Sequence, residues 1–141
     1  MQYRAKILAS LSLWTLAVLT VAWADNGSAS MNGPLTFASQ DGATLYRTIC
    51  QGCHMSDAEG ATGAATYPAL AHDPTLAAAA YPVYAIIQGR NAMPSFAAYL
   101  SDAQVAAVVN YLRTHFGNDY KDAVSPALAS TARASMVRGQ N

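Results

Sequence analysis

The chain has 141 residues, of which 52% are hydrophobic and 11% are charged, and its eight Lys and Arg balance its eight Asp and Glu. This composition excludes a disordered charged tail, because such segments combine few apolar residues with a large net charge. It also excludes an ordinary nucleic-acid binder, which would carry a basic patch. The length fits a single domain.

The first 24 residues have the three parts of a secretory signal peptide in the expected order. Arg4 and Lys6 precede an uncharged apolar stretch, and Ala22-Trp23-Ala24 supplies the small residues of a cleavage site. We expect cleavage after Ala24 and export of the remaining chain. The alternative is an uncleaved membrane anchor, because the uncharged run over residues 7–24 is just long enough to span a bilayer.

Three further segments follow the predicted signal peptide. Residues 25–39 are rich in Gly, Ser, Asn and Pro and predict a flexible lead-in to the domain. Residues 40–117 carry the helix signals and form the predicted domain. Residues 118–141 form a polar, alanine-rich C-terminal extension, in which Ser125-Pro126 indicates no more than one weak helical turn.

The first part of the domain alternates short helices with loops, and no strand candidate is convincing. A helix over residues 40–50, with Leu45 and Ile49 on one face, runs into the cysteines, and residues 51–72 have the pattern of a loop. Asp73-Pro74 then opens a short helix through residue 80. A further helix with Val83, Ile86 and Ile87 on one face ends at Gly89.

The last helix of the domain has the clearest signals. Ser101-Asp102-Ala103-Gln104 is a capping box, and Gly117 is expected to close the helix. Apolar residues at helical spacing lie between them, at Val105, Val108, Val109, Leu112 and Phe116. The sequence therefore predicts a small all-α domain with three to five helices.

The chain's two cysteines lie in one motif, Cys50-Gln51-Gly52-Cys53-His54. Cys-x-x-Cys-His is the attachment signature of c-type haem. Two thiols at this spacing can each add to one of the two vinyl groups along one edge of a porphyrin, and the next residue then lies under the iron. We expect one haem c bound covalently through Cys50 and Cys53, with His54 as the proximal iron ligand.

Three other uses of these residues compete with haem attachment. A disulfide between Cys50 and Cys53 would close too short a loop to add much stability. A thioredoxin-like redox pair needs a βαβ context, whereas the residues before Cys50 have a helical pattern. A structural zinc site needs four ligands, and only His72 and His115 remain to join the motif.

Residues 40–116 resemble the class I cytochrome c family in four pieces that occur in the family's order. The pieces are Gly42-Ala43-Thr44-Leu45-Tyr46, Tyr67-Pro68-Ala69-Leu70, Gly89-Arg90-Asn91-Ala92-Met93-Pro94-Ser95-Phe96 and Leu100-Ser101-Asp102. The resemblance implies a small class I cytochrome c fold packed around one covalently bound haem. It also implies that Tyr111 of the last helix packs against the Gly42 and Tyr46 face of the first.

The resemblance assigns further site residues. Met93 is the distal iron ligand, Pro68 offers its carbonyl to the proximal histidine, and Leu70 packs against the haem. Ligand chemistry also supports Met93, because a neutral thioether pairs with histidine in cytochromes c. Of the other methionines after the predicted signal peptide, Met55 adjoins His54 on the proximal side, Met31 lies in the lead-in and Met136 in the extension.

Three further polar residues, His72, Arg90 and His115, have expected positions or roles near the domain's functional residues. His72 is a rival distal ligand, which would give a bis-histidine centre. His115 is expected at the surface near the end of the last helix, where a cation suits the helix dipole. Arg90 either pairs with a haem propionate, since a guanidinium matches a carboxylate, or is a solvated loop residue.

If His54 and Met93 fill both axial positions, no iron site stays open for substrate, so we expect a periplasmic carrier of single electrons with no catalytic residues. The expected donor is a periplasmic dehydrogenase, and the acceptor a cytochrome, a copper protein or a terminal oxidase. An alternative is a tightly bound cytochrome subunit of a flavin, quinoprotein or molybdenum dehydrogenase. The Ala-Met-Pro-x-Phe segment resembles the p-cresol methylhydroxylase type, and residues 117–125 are similar to extensions on cytochromes that accompany periplasmic dehydrogenases. An unbound Met93 would instead leave an open-site haem enzyme or sensor.

Overall fold

The structure is a computed structural model that describes residues 36–139. These residues belong to one compact unit. The predicted signal peptide and most of the predicted lead-in lie outside the described residues. Four helices, one short hairpin and connecting loops make up this described part, which confirms the mostly α-helical prediction. None of its helices is long and apolar enough to cross a membrane.

Helix α1 occupies residues 42–54 and passes through the cysteine motif. It consists of an α-helical turn Gly42–Leu45, a π-helical segment Tyr46–Cys50 and a second α-helical turn Gln51–His54. Asp41 caps its start, because its Oδ1 accepts the N–H of Thr44 at 2.8 Å. The sequence had predicted an end at residue 50, but the helix continues to His54 and ends where Met55 adopts a positive φ of 66°.

The predicted loop over residues 51–72 contains a small antiparallel hairpin that the sequence did not indicate. Strands β1 (Ala61–Thr62) and β2 (Thr66–Tyr67) pair with Ala61 opposite Tyr67. Each strand is only two residues long, which is too short to produce an alternating apolar pattern.

The segment after Asp73 forms two helical elements, as predicted, but the first ends at residue 77 and not at residue 80. Pro74–Ala77 is a 3₁₀ turn, capped by Asp73, whose Oδ1 accepts the N–H of Thr75 at 2.8 Å. Helix α2 (Ala80–Gln88) follows and ends at Gly89, which has a φ of 76°. The predicted end of the second helix at Gly89 is therefore confirmed.

Helix α3 (Asp102–Thr114) begins with the predicted capping box. The N–H of Gln104 donates to the hydroxyl of Ser101 at 3.2 Å, and the Gln104 side chain accepts the N–H of Ser101 at 2.9 Å. The predicted end is too late, because Phe116 and Gly117 both have positive φ values and lie beyond the helix. The Phe116 ring instead packs on Tyr46, with ring centroids 4.9 Å apart.

Helix α4 (Pro126–Arg138) occupies most of the C-terminal extension, so the prediction of a single weak turn there is wrong. Ala129 and Ala132 are fully buried. Because their side chains are small, they allow α4 to pack closely on α2 and α3. The helix buries this narrow alanine stripe instead of a broad apolar face, so its sequence lacks the usual amphipathic signal.

The core lies where α1 crosses α3, and the crossing requires a glycine. A Cβ at Gly42 would overlap the carbonyl of Ala107, so only glycine permits this approach. Tyr46 and Tyr111 pack beside it with ring centroids 5.8 Å apart, which confirms the predicted contact between the two helices. The buried apolar residues around this crossing include Leu45, Val83, Ile87, Val105, Val108 and Val109.

The predicted flexible lead-in extends too far along the chain. The Gln104 side chain donates to the carbonyls of Phe37 and Ser39 at 2.6 and 2.7 Å. Phe37 also packs against the core. Residues 37–39 are therefore held against α3, and the packed region begins before the predicted boundary at residue 40.

Candidate functional site

A cleft of about 400 Å³ lies between α1, the hairpin loop and the loop that follows α2. Its size falls in the range of small-molecule and cofactor sites. The sequence-predicted site residues all line it, namely Cys50, Cys53, His54, Pro68, Leu70, Arg90 and Met93. Most of the remaining wall is apolar and includes Ile49, Leu76, Ile86, Phe96 and Leu112. The cleft therefore offers an apolar environment with a few polar groups and sulfur atoms.

The two cysteines line the cleft from α1 and are not joined by a disulfide. Cys50 ends the π-helical segment, and such wider turns often occur at functional sites. Burial raises the pKa of the Cys50 thiol to about 12, with a smaller contribution from Cys53. A thioredoxin-like pair needs a thiol with a lowered pKa, so the burial of Cys50 does not favour that alternative.

The zinc alternative also lacks a ligand set. Within residues 36–139, no group of three or more His, Cys, Asp or Glu side chains could hold a metal ion. A structural zinc site needs four such ligands.

His54 ends α1, and the residue is only 8% exposed. Its Nδ1 lies 2.9 Å from the carbonyl oxygen of Pro68, as the family resemblance implied. Because a carbonyl can only accept, Nδ1 donates the proton of this hydrogen bond, and Nε2 keeps a free lone pair. This is the arrangement that orients a metal-binding imidazole.

Gly60 allows the Pro68 carbonyl to approach His54, and the sequence analysis did not identify it. Its N–H donates to the His54 carbonyl at 3.2 Å. Gly60 has a φ of 69°, and a Cβ there would overlap the carbonyl of Tyr67 and lie against Pro68. Glycine is needed for both the positive φ and the close approach.

Tyr46 fixes the chain just after His54. Its hydroxyl donates to the Met55 carbonyl at 2.6 Å, where the chain leaves α1 with a positive φ. Burial raises the pKa of Tyr46 to about 12, which keeps the hydroxyl protonated as a donor. Tyr46 was expected only as a packing residue.

The Met93 loop, defined as residues 89–100, folds back onto the end of α2. The main-chain N–H and carbonyl of Met93 pair with those of Arg90 at 2.9 and 3.0 Å. Ser95 and Phe96 donate to carbonyls of the last turn of α2 at 2.5 and 2.9 Å. Gly89 is required at the turn, because a Cβ there would lie 2.8 Å from the Met93 carbonyl oxygen.

Met93 differs from the other described methionines in its location. It is half-buried and lines the cleft. Met55 follows His54 at the end of α1, and Met136 packs on the core from α4. Of the three methionines within residues 36–139, Met93 is the one that reaches the cleft.

The structure shows where His72, His115 and Arg90 lie relative to the cleft. His72 is exposed, lies against Gly117 and does not line the cleft, so the geometry gives no support to a bis-histidine centre. His115 is exposed at the end of α3, as predicted. Arg90 is exposed at the cleft wall, with its guanidinium carbon 5.4 Å from the centre of the Tyr81 ring.

Two buried polar residues support the cleft walls. Asn118 donates to the Leu70 carbonyl at 2.8 Å, and Arg113 donates to the Leu76 carbonyl at 2.8 Å. Arg113 has no exposed surface and pairs with Asp122 at 2.6 Å. Both are polar residues at or after the end of α3, where solvent exposure is usual, so no sequence pattern indicates their burial.

Comparison with known proteins identifies relatives of the chain. A family model described as "Cytochrome C oxidase, cbb3-type, subunit III" matches residues 38–112. The chain is 31% identical over 110 residues to the fructose dehydrogenase cytochrome subunit of Gluconobacter japonicus, covering 67% of this chain and 22% of the relative. It is 35% identical over 97 residues to the alcohol dehydrogenase (quinone) cytochrome c subunit of Gluconobacter oxydans, covering 60% of this chain and 20% of the relative. The chain therefore spans about a fifth of the length of these curated relatives.

Proposed function

The chain belongs to the cytochrome c family described as cytochrome c oxidase, cbb3-type, subunit III, and it binds haem c covalently; from this premise we propose that it carries single electrons from a dehydrogenase. The observation that carries the proposal is the content of the cleft. Attachment thiols and an oriented imidazole come from α1, and a thioether comes from the separate Met93 loop.

The residues of the cleft fit a covalently attached haem. Cys50 and Cys53 would form the two thioether bonds, and the free Nε2 of His54 would be the proximal ligand. Met93 would supply the distal sulfur, in line with the Met/His ligation of cytochromes c. The apolar walls match the porphyrin face, and Leu70 is part of them.

The ligand set and the walls favour electron transfer over catalysis. A haem iron with histidine and methionine ligands supplies one-electron Fe(III)/Fe(II) chemistry. Met93 would occupy the position that oxygen or peroxide needs. Apolar residues such as Ile86 and Phe96 exclude water, which disfavours the more highly charged oxidised state and raises the potential. Electron transfer therefore requires no general acid, general base or nucleophile among the cleft residues.

The partner and the location follow from different observations. Both relatives are named as cytochrome subunits of dehydrogenases, which supports a dehydrogenase as electron donor. The acceptor would be a cytochrome, a copper protein or a terminal oxidase. The pattern of the first 24 residues supports export to the periplasm and cleavage after Ala24. Cleavage would remove Arg4 and Lys6 and leave six Lys and Arg against eight Asp and Glu, a small net charge that would give only weak long-range steering of partners.

A permanent subunit is the second candidate, and the names of the two relatives favour it. In that case the chain would stay bound to a flavin, quinoprotein or molybdenum dehydrogenase. Size-exclusion chromatography of the protein mixed with such a dehydrogenase separates the two cases. Co-elution at micromolar concentration indicates a subunit, and separate elution with rapid electron transfer indicates a mobile carrier.

The test of electron transfer uses the holoprotein and the variant Met93→Ala. We expect a one-electron potentiometric wave and rapid reduction by a substrate-reduced dehydrogenase in stopped flow. The wild-type ferric protein should bind azide weakly and turn over little peroxide, whereas Met93→Ala should do both more readily. Tight azide binding and peroxide turnover by the wild type would replace the carrier with an open-site enzyme.

A further inference from the structure

Arg133 of α4 joins three segments of the chain at one guanidinium group. It donates to the carbonyls of Ala97 and Leu100, which belong to the Met93 loop. It also pairs with Asp102 at the start of α3, with 2.5 Å between Nε and Oδ1. The Arg133 and Asp102 side chains are only 26% and 32% exposed, so the ion pair is largely shielded from water.

The two halves of the Met93 loop are held differently. The first half is fixed to α2 by the hydrogen bonds of Ser95 and Phe96. Residues 97–100 make main-chain hydrogen bonds within the loop, where Tyr99 and Leu100 both donate to Phe96 at 3.0 Å. Among residues 36–139, the hydrogen bonds that join residues 97–100 to a helix come from Arg133 of α4.

We propose that Arg133 is a positioning residue for Met93, and this inference rests on the proposed role of Met93 as the distal ligand. By holding the second half of the Met93 loop, Arg133 keeps the loop closed over the cleft. Helix α4 then sets how readily Met93 leaves its position. Without the guanidinium, the loop would be hydrogen-bonded to its surroundings mainly on the α2 side.

The variant Arg133→Met tests this role in the holoprotein. Methionine keeps an unbranched apolar side chain and removes every donor and the charge. Losing one charge-assisted hydrogen bond changes an equilibrium by about tenfold or more. We therefore expect ferric Arg133→Met to bind imidazole about tenfold more tightly than the wild type. The sulfur-to-iron charge-transfer band should be weaker.

Two variants serve as controls for charge and for general destabilisation. Arg138→Met removes the same charge from the same helix, and the exposed side chain of Arg138 makes no hydrogen bond or ion pair within the described residues. Gly42→Ala should destabilise the crossing of α1 and α3, and Gly42 does not line the cleft. Both should keep the wild-type imidazole affinity. Arg133→Lys, which keeps the charge but cannot span the same acceptors, should be intermediate and serves if Arg133→Met does not fold.

The outcomes separate this inference from the proposed function. Wild-type imidazole affinity and an unchanged band in Arg133→Met and Arg133→Lys would overturn the positioning role alone. A wild-type protein without the charge-transfer band would overturn the Met93 assignment and the positioning role together. Faster hydrogen exchange at the Tyr99 and Leu100 amides in Arg133→Met than in Arg138→Met would support the positioning role without using the haem as a probe.

Discussion

Replacing Arg113 tests the buried polar network on the α3 side of the cleft. Arg113 has no exposed surface and donates to the carbonyls of Leu76 and Ala77 at 2.8 and 3.2 Å. It also pairs with Asp122 at 2.6 Å and lies over the Tyr120 ring. The change Arg113→Met keeps most of the volume and removes all of these donors.

The expected loss in the free energy of unfolding depends on which hydrogen-bond partners of Arg113 can regain water. The Asp122 side chain is 73% exposed and the residue Ala77 is also exposed, so both regain water. Leu76 is buried, and its carbonyl would lose its guanidinium donor at a cost of about 1–3 kcal/mol. The ion pair adds little, because the Asp122 carboxylate is exposed to solvent. At about 4 °C per kcal/mol, a loss of about 1–3 kcal/mol lowers the melting temperature by about 4–12 °C.

Thermal and urea denaturation of the holoprotein, followed by circular dichroism, would measure the change. The matched control is Arg138→Met, because Arg138 is exposed and its replacement should stay within about 0.5 kcal/mol. A loss in Arg113→Met no larger than in this control would refute the reasoning. It would mean that water or neighbouring groups replace the guanidinium at the Leu76 carbonyl.

The remaining predictions concern the two sides of α1 and one carboxylate. Gly42→Ala should lower the free energy of unfolding by about 1–3 kcal/mol or more, because the new Cβ would overlap the Ala107 carbonyl. Urea denaturation measures this loss. The control is Gly63→Ala, where the new Cβ meets nothing within 4 Å. Tyr46→Phe should cost about 1 kcal/mol by the same assay, since the Met55 carbonyl loses its donor, and an unchanged midpoint would contradict this. The hydrogen bond from Arg113 lowers the pKa of Asp122, so its contribution to stability is present above the unfolded pKa of about 4 and is lost as pH falls through the lower folded value. Asp122→Asn should therefore show a smaller fall in melting temperature than the wild type below about pH 4, and parallel curves would contradict the assignment.

Local patterns were sufficient to predict most of the helices and the cysteine motif that enters the cleft. The Ser101 capping box and the Gly89 helix end depend on nearby residues, and both are present in the structure. The cysteine motif likewise has its groups within one turn of α1. Met93 and Pro68 are distant in sequence from that motif, and the family resemblance was needed to relate them to it. Their roles as ligand and hydrogen-bond acceptor for the haem-bound protein remain predictions.

Features that depend on tertiary contacts were missed. Helix α4 is held by the small residues Ala129 and Ala132 and by Arg133, none of which produces an apolar stripe. Arg113 and Asn118 are buried through contacts with segments far away in the chain, which no local pattern of the sequence indicates. The predicted end of α3 was too late because the apolar spacing continues to Phe116. Phe116 packs on Tyr46 after the helix has ended at Thr114.

The most direct test of the account is the spectrum of the ferric holoprotein in the region of the sulfur-to-iron charge-transfer band. The wild type should show the band, and Met93→Ala should lose it while retaining the covalently attached haem. Met55→Leu and Met136→Leu should both keep the band, because neither side chain lines the cleft. A band that persists in Met93→Ala, or that is absent from the wild type, would contradict the proposed ligation and the electron-carrier function built on it.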